Sequence, residues 1–168
     1  MKVSIATERS VEAPVPLSRV LPLLDDLEGT IKRFPKLRTL KPIGKDAYLW
    51  EMNPIGSKLA KIAHEVSYGA KYSIDRKQNQ VSWVPVPKQG NATIEGWFRF
   101  DGDESNTRLT FKVSGELDEV PVPLLYRAVA PAFIRGKFAA LVDIFLERTR
   151  DALLQAAATP AAKPAAST

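Results

Sequence analysis

Side chains able to do chemistry are few in this sequence, and one of them stands in unusual company. His64 is the single histidine, and the 168 residues include no cysteine. The imidazole lies in "IAHEVSYGAKYSI", Ile62 to Ile74. Every second residue gives Ile62, His64, Val66, Tyr68, Ala70, Tyr72 and Ile74; the other register gives Ala63, Glu65, Ser67, Gly69, Lys71 and Ser73. One register is apolar and aromatic and the other mostly polar, which is the period of a half-buried strand. A neutral imidazole on the apolar face still carries a donor and an acceptor, and leaving a buried polar group unpaired costs about 1–3 kcal/mol. Two readings stand: a core histidine held by one protein hydrogen bond, or a polar group that orients a ligand in an apolar pocket. A catalytic base is not assigned, because no paired carboxylate or nucleophile can be named beside it.

Tyr68 and Tyr72 share the face of His64, and buried tyrosine hydroxyls seek partners. Trp50 alternates with Tyr48 and Met52 along a neighbouring stretch, and Trp83 with Val81 and Pro85 along another. Phe98 shares a register with Ile94, Gly96 and Phe100; Phe111 shares one with Leu109, Val113 and Leu117; Phe138 falls on a helical stripe. His64, Tyr68, Tyr72, Trp50, Trp83, Phe98, Phe111 and Phe138 are therefore the candidate ligand-contacting residues, with ordinary core packing as the competing account of each. Trp97 reads with Glu95 and Arg99 and is expected on the outer face.

Other chemistries lack their parts. Without cysteine there is no disulfide, thiol nucleophile or thiolate metal site, and one histidine cannot supply two imidazoles. Asp25, Asp26 and Glu28 form the one acidic cluster; it offers too few convergent oxygens for a cation, and Asp26 reads as a helix cap. Gly44, Gly56 and Gly90 are turn glycines, and no phosphate-binding glycine pattern occurs. No metal and no cofactor is expected. The net charge of +5 is spread along the chain, and its densest cluster, "KRFPKLRTLK", is interrupted by Phe34, Pro35, Leu37 and Leu40. Nucleic acid is not expected as a partner, whereas a transient contact with a membrane surface is compatible with this charge. The start, "MKVSIATERSVEAP", has no apolar core of a signal peptide, and no run approaches the ~18 apolar residues of a membrane span. A soluble, cytoplasmic protein is expected.

The elements that must position these residues follow from periodicity. Val3 to Val11 alternates as a first strand ended by "APVP". "LSRVLPLLDDLEGTIKRF" has helical spacing broken by Pro22 and Gly29, which predicts two short helices, about Leu17–Asp26 and Glu28–Phe34. From Leu37 to Leu117 strands alternate with turns: Leu37–Ile43, Tyr48–Met52, Lys61–Ile74, Val81–Val86, Thr93–Phe100 and Arg108–Leu117. Such short spacing leaves no room for crossover helices, so the sheet is antiparallel. Ile134, Phe138, Leu141, Phe145 and Ala152 mark one stripe of a long closing helix, broadened by Leu125, Val129, Phe133, Val142 and Leu146. Pro131 starts or kinks it. The closing "AAATPAAKPAAST" is low in complexity and reads as a disordered tail, with one domain over 1–156 and the tail over 157–168.

This order, with "VEAPVPLSRVLPLLDDLEGTIKRFP" at the front, "TRLTFKV" as the last strand and the long helix at the end, resembles the helix-grip superfamily (SRPBCC). That group includes START lipid-transfer domains, polyketide cyclases, coenzyme Q-binding proteins and birch-pollen-type allergens. The likeness runs from about Val3 to Leu154. The closing segment is similar to bacterial polyketide cyclase/dehydrase-like proteins and to a group of proteins associated with carbon monoxide dehydrogenase. The resemblance implies an α+β helix-grip fold: a curved antiparallel sheet of about seven strands around a long C-terminal helix, with two short helices after the first strand. It implies binding or transport of a hydrophobic small molecule (lipid, isoprenoid quinone or polyketide-like) in a cavity between sheet and helix, with "NPIGS" or "DEVPVP" at its mouth. Two alternatives remain: an aromatase/cyclase using the same cavity, and a non-enzymatic accessory factor or chaperone, which predicts a filled interior. The fold does not choose among them, and the oligomeric state is not read from the sequence.

Overall fold

The structure, a computed structural model, describes residues 1–59 and 61–158. Strand β1 (Val3–Ala13) leads into helix α1 (Leu17–Val20), a 3-10 turn (Leu21–Asp25) and helix α2 (Leu27–Lys32). Pro22 sits at the start of the 3-10 turn, where its missing N–H costs nothing. Asp26 caps α2 as the sequence suggests, accepting from the Gly29 N–H at 3.1 Å. The first helix is shorter than its predicted span because this turn takes over from Leu21; the second begins one residue earlier than predicted and ends two residues earlier, at Lys32.

Eight further strands follow: β2 (Leu37–Gly44), β3 (Ala47–Met52), β4 (Ile55–Ser57), β5 (Ile62–His64), β6 (Ser67–Asp75), β7 (Gln80–Gly90), β8 (Ala92–Gly102) and β9 (Thr107–Leu117). Seven form one antiparallel, curved sheet in the order β1-β9-β8-β7-β6-β3-β2, and β4 and β5 pair separately. The predicted single strand Lys61–Ile74 is thus two strands. Glu65 and Val66 break it: Asn91 Nδ2 donates to the Glu65 carbonyl at 2.8 Å, and Met52 N–H to the Val66 carbonyl at 2.9 Å. Beyond the break, β5 turns away to pair with β4. That hairpin needs a glycine at position 56, where φ is +124° and a Cβ would lie 1.8 Å from the Ile62 carbonyl oxygen.

Helix α3 (Ala130–Ala158) lies along β1. Its buried stripe includes Ile134, Phe138, Leu141, Val142, Phe145, Leu146, Thr149 and Leu153. Leu153 takes the place expected for Ala152, which is only half-buried. Pro131 falls in the first turn and starts the helix rather than kinking it. Leu125 and Val129 lie outside the stripe, exposed before the helix begins. The helix runs through Ala157 and Ala158, so these two belong to it and not to a tail; the remainder of the predicted tail lies outside the described residues. Polar contacts fix α3 on the sheet: Arg135 Nε donates to the Ser4 carbonyl at 3.0 Å, Arg150 Nε to the Glu12 carbonyl at 2.9 Å, and Arg9 meets Asp143 at 3.4 Å. No helix among the described residues is long and apolar enough to cross a membrane.

Candidate functional site: an aromatic interior between sheet and helix

The inner face of the sheet carries the alternating aromatic residues, because their strands place every second side chain on one side. Trp50 and Met52 project from β3, Tyr68 and Tyr72 from β6, Trp83 from β7, Ile94 and Phe98 from β8, and Phe111 and Val113 from β9. Thr30 and Ile31 of α2 and Phe34 just beyond it close one side, and Phe138 and Phe145 of α3 close the top. Seven of the eight predicted residues meet here: Tyr68, Tyr72, Trp50, Trp83, Phe98, Phe111 and Phe138. All seven are buried.

Trp83 reaches its position because Gly96 faces it across the β7–β8 ladder. A Cβ on Gly96 would lie 2.7 Å from the Trp83 ring and 2.3 Å from the Lys112 carbonyl oxygen. The missing side chain is the seat of the indole.

The space enclosed is small. Its volume is about 30 Å³, room for little more than a water molecule, whereas ligand pockets span about 300–1,000 Å³. The expected open cavity is therefore closed in this structure. The reason lies in two aromatic residues outside the predicted set. Phe34 packs against Trp50, Phe138 and Phe145 with ring centroids 5.8, 6.4 and 5.6 Å apart, and Phe145 meets Phe111 at 5.2 Å. Together they fill the gap between the curved sheet and α3. Phe145 was legible as part of the helical stripe. Phe34 gave only the signal of a helix end before Pro35, and Thr30, buried beside it, gave none.

Polar groups in the wall are few and specific. Trp50 Nε1 donates to the Tyr72 hydroxyl at 2.9 Å, and the Trp50 ring stacks on Tyr68 at 5.3 Å. Having accepted this bond, the Tyr72 hydroxyl keeps a proton to donate. Burial pushes the Tyr68 and Tyr72 phenols above their ordinary pKa, so both stay protonated. Trp83 Nε1 is buried with no partner. The wall thus holds one N–H without a partner, on Trp83, and one hydroxyl with a proton left to donate, on Tyr72, and no carboxylate or imidazole lines it among the described residues. Such groups can orient a carbonyl or hydroxyl oxygen; they cannot act as a base at neutral pH.

His64 is the exception in the predicted set. It sits on β5 in the separate hairpin, half-buried, and does not line the enclosed space. Its Nε2 is buried without a hydrogen-bond partner. Burial first, and then the positive charge of the N-terminus, lower its pKa below the ordinary value, which keeps it neutral. The strand break at Glu65–Val66 separates it from the tyrosines whose register it shares. Trp97 is on the outer face as expected, with the Arg99 guanidinium 5.0 Å from its ring centre. No cluster of three or more His, Cys, Asp or Glu side chains that could hold a metal occurs among the described residues.

The chain matches no protein-family model and no curated protein. Its architecture does match solved structures. The Zhui aromatase/cyclase of a Streptomyces species is 16% identical, with a TM-score of 0.58 over 92% of this chain and 94% of that one. A START superfamily protein of Mycobacterium smegmatis is 11% identical, with a TM-score of 0.61 over 89% and 97%. A protein of Thermus thermophilus is 20% identical, with a TM-score of 0.57 over 89% and 98%. Near-complete coverage of both chains in each case shows that the whole architecture is shared, and this chain has the α+β helix-grip fold that these solved structures have.

Proposed function

We propose that the protein binds a hydrophobic small molecule, a lipid, isoprenoid quinone or polyketide-like compound, between the sheet and α3. The observation that supports this most is the wall itself: an enclosed aromatic surface whose Trp83 Nε1 is buried without a partner. A packed core has no use for an orphaned N–H, which costs about 1–3 kcal/mol when buried; a carbonyl-bearing ligand would satisfy it. At about 30 Å³ the space admits no such ligand as it stands. Loading requires Phe34, Phe138 and Phe145 to swing aside, with α3 or the β4–β5 hairpin giving way. Apolar burial in the opened cavity then supplies the affinity.

The small interior also supports a second reading, an accessory factor acting on a partner protein. An aromatase/cyclase reading, supported by the fold shared with the Streptomyces enzyme, needs a base in the cavity, and the lining donors do not supply one. Native mass spectrometry of the purified chain, followed by solvent extraction, separates these. A mass increment released as an apolar compound is the expected result. A bare chain that co-purifies with a stoichiometric protein partner would overturn the ligand reading.

A further inference from the structure

The most exposed large apolar side chains among the described residues are Leu59 at 99%, Leu125 at 84%, Leu124 at 79% and Val129 at 59%. They come from two segments, the tip of the β4–β5 hairpin and the turn before α3. Both lie at one end of the sheet. The hairpin leaves between β3 and β6, and the turn follows β9, and Asn91 ties the two exits together. Its N–H donates to the Ser67 carbonyl at 2.8 Å, its Oδ1 accepts from the Ser67 N–H at 2.9 Å, and its carbonyl accepts from the Asp118 N–H at 2.9 Å.

The charge of these segments is one-sided. From Asn53 to His64 and from Val120 to Val142 there is no Asp or Glu, while Lys58, Lys61, Arg127, Arg135 and Lys137 are present. Three of the four bordering carboxylates are already paired, Glu65 with Arg38 at 3.6 Å, Asp118 with Lys2 at 3.4 Å and Asp143 with Arg9 at 3.4 Å; Glu119 is the fourth. The opposite end carries Asp101 at the end of β8, Asp103 and Glu104 in the β8–β9 turn and Asp25 and Asp26 beside α2, mixed with Lys45, Arg76 and Lys77. Protruding leucines on segments that hold lysines and arginines and no acid of their own match the boundary between headgroups and acyl chains of an anionic bilayer. The leucines enter the apolar layer and the cations meet lipid phosphates.

We propose that this end of the molecule docks on anionic membrane surfaces, with Leu59, Leu124, Leu125 and Val129 inserted and Lys58, Lys61 and Arg127 against the headgroups. Docking is independent of what the interior holds, so it is measured without a cavity ligand. The full chain is sedimented with vesicles of phosphatidylglycerol mixed with phosphatidylcholine, and with phosphatidylcholine alone. Binding is expected only to the anionic vesicles, weakening as salt rises. Leu124→Glu/Leu125→Glu is expected to lower the partition at least about tenfold with an unchanged melting temperature. Val84→Glu, on the exposed outer face of the sheet, is expected to bind as the parent does. Absence of binding to anionic vesicles, or equal binding by the double variant, would overturn the proposal. So would a dimer in sedimentation velocity that the double variant dissociates, since a second copy would then cover these leucines.

Discussion

Trp50 and Tyr72 show how a residue acquires a role that its type alone does not assign. Their bond crosses the β3–β6 ladder inside the core, and it fixes which way the Tyr72 hydroxyl proton can point. Removing the hydroxyl strands the indole N–H in an apolar wall. Tyr72→Phe is therefore expected to lower the unfolding free energy by about 1–3 kcal/mol, read as a shifted urea midpoint at unchanged slope. An unchanged midpoint would mean that the pair contributes no order to the wall. At this scale the sequence was informative where alternation was strict: Trp50, Tyr68, Tyr72, Trp83, Phe98 and Phe111 all face inward. It misled at His64, whose register agrees with the tyrosines but whose strand ends before theirs begins. Nothing in "IAHEVSYG" marks that end, because the break is made by Asn91, far along the chain, bonding the Glu65 carbonyl.

At the level of elements, the sheet was readable because turns rich in Gly, Asn, Asp and Pro punctuate nearly every strand. The short helices were readable through Pro22 and the Asp26 cap. The β4–β5 hairpin was not: "NPIGS" reads as a turn, and its three-residue strands are too short for any period to emerge. Gly96 illustrates the reverse. In the alternation of β8 it looks like a gap in an apolar face, and the structure shows it as the space that Trp83 occupies. Gly96→Ala puts a methyl group against a backbone carbonyl that cannot yield cheaply. Overpacking of this kind costs about 1–3 kcal/mol. Thermal unfolding should show the loss, accompanied by a change in near-ultraviolet dichroism as the indole is displaced. Retention of both signals would show that Trp83 is not seated by this glycine.

Taken whole, the molecule is a curved sheet closed by one helix, and the order of its elements announced that arrangement before any coordinate did. The degree of filling was hidden. It depends on how far Phe34 and Phe145 reach, and side-chain reach across a curved sheet is a three-dimensional quantity that no one-dimensional pattern carries. The account therefore rests on one claim, that this aromatic interior opens to admit an apolar molecule. Trp50 and Trp83 stand in its wall and Trp97 outside, so a Trp97→Phe background isolates the wall emission. Titrating that protein with 1-aminoanthracene, a neutral aromatic probe, and following energy transfer from the tryptophans measures admission directly. The account predicts transfer that saturates at one probe per chain and is reversed by a competing apolar compound. Transfer that rises linearly without saturation, or none, would contradict it.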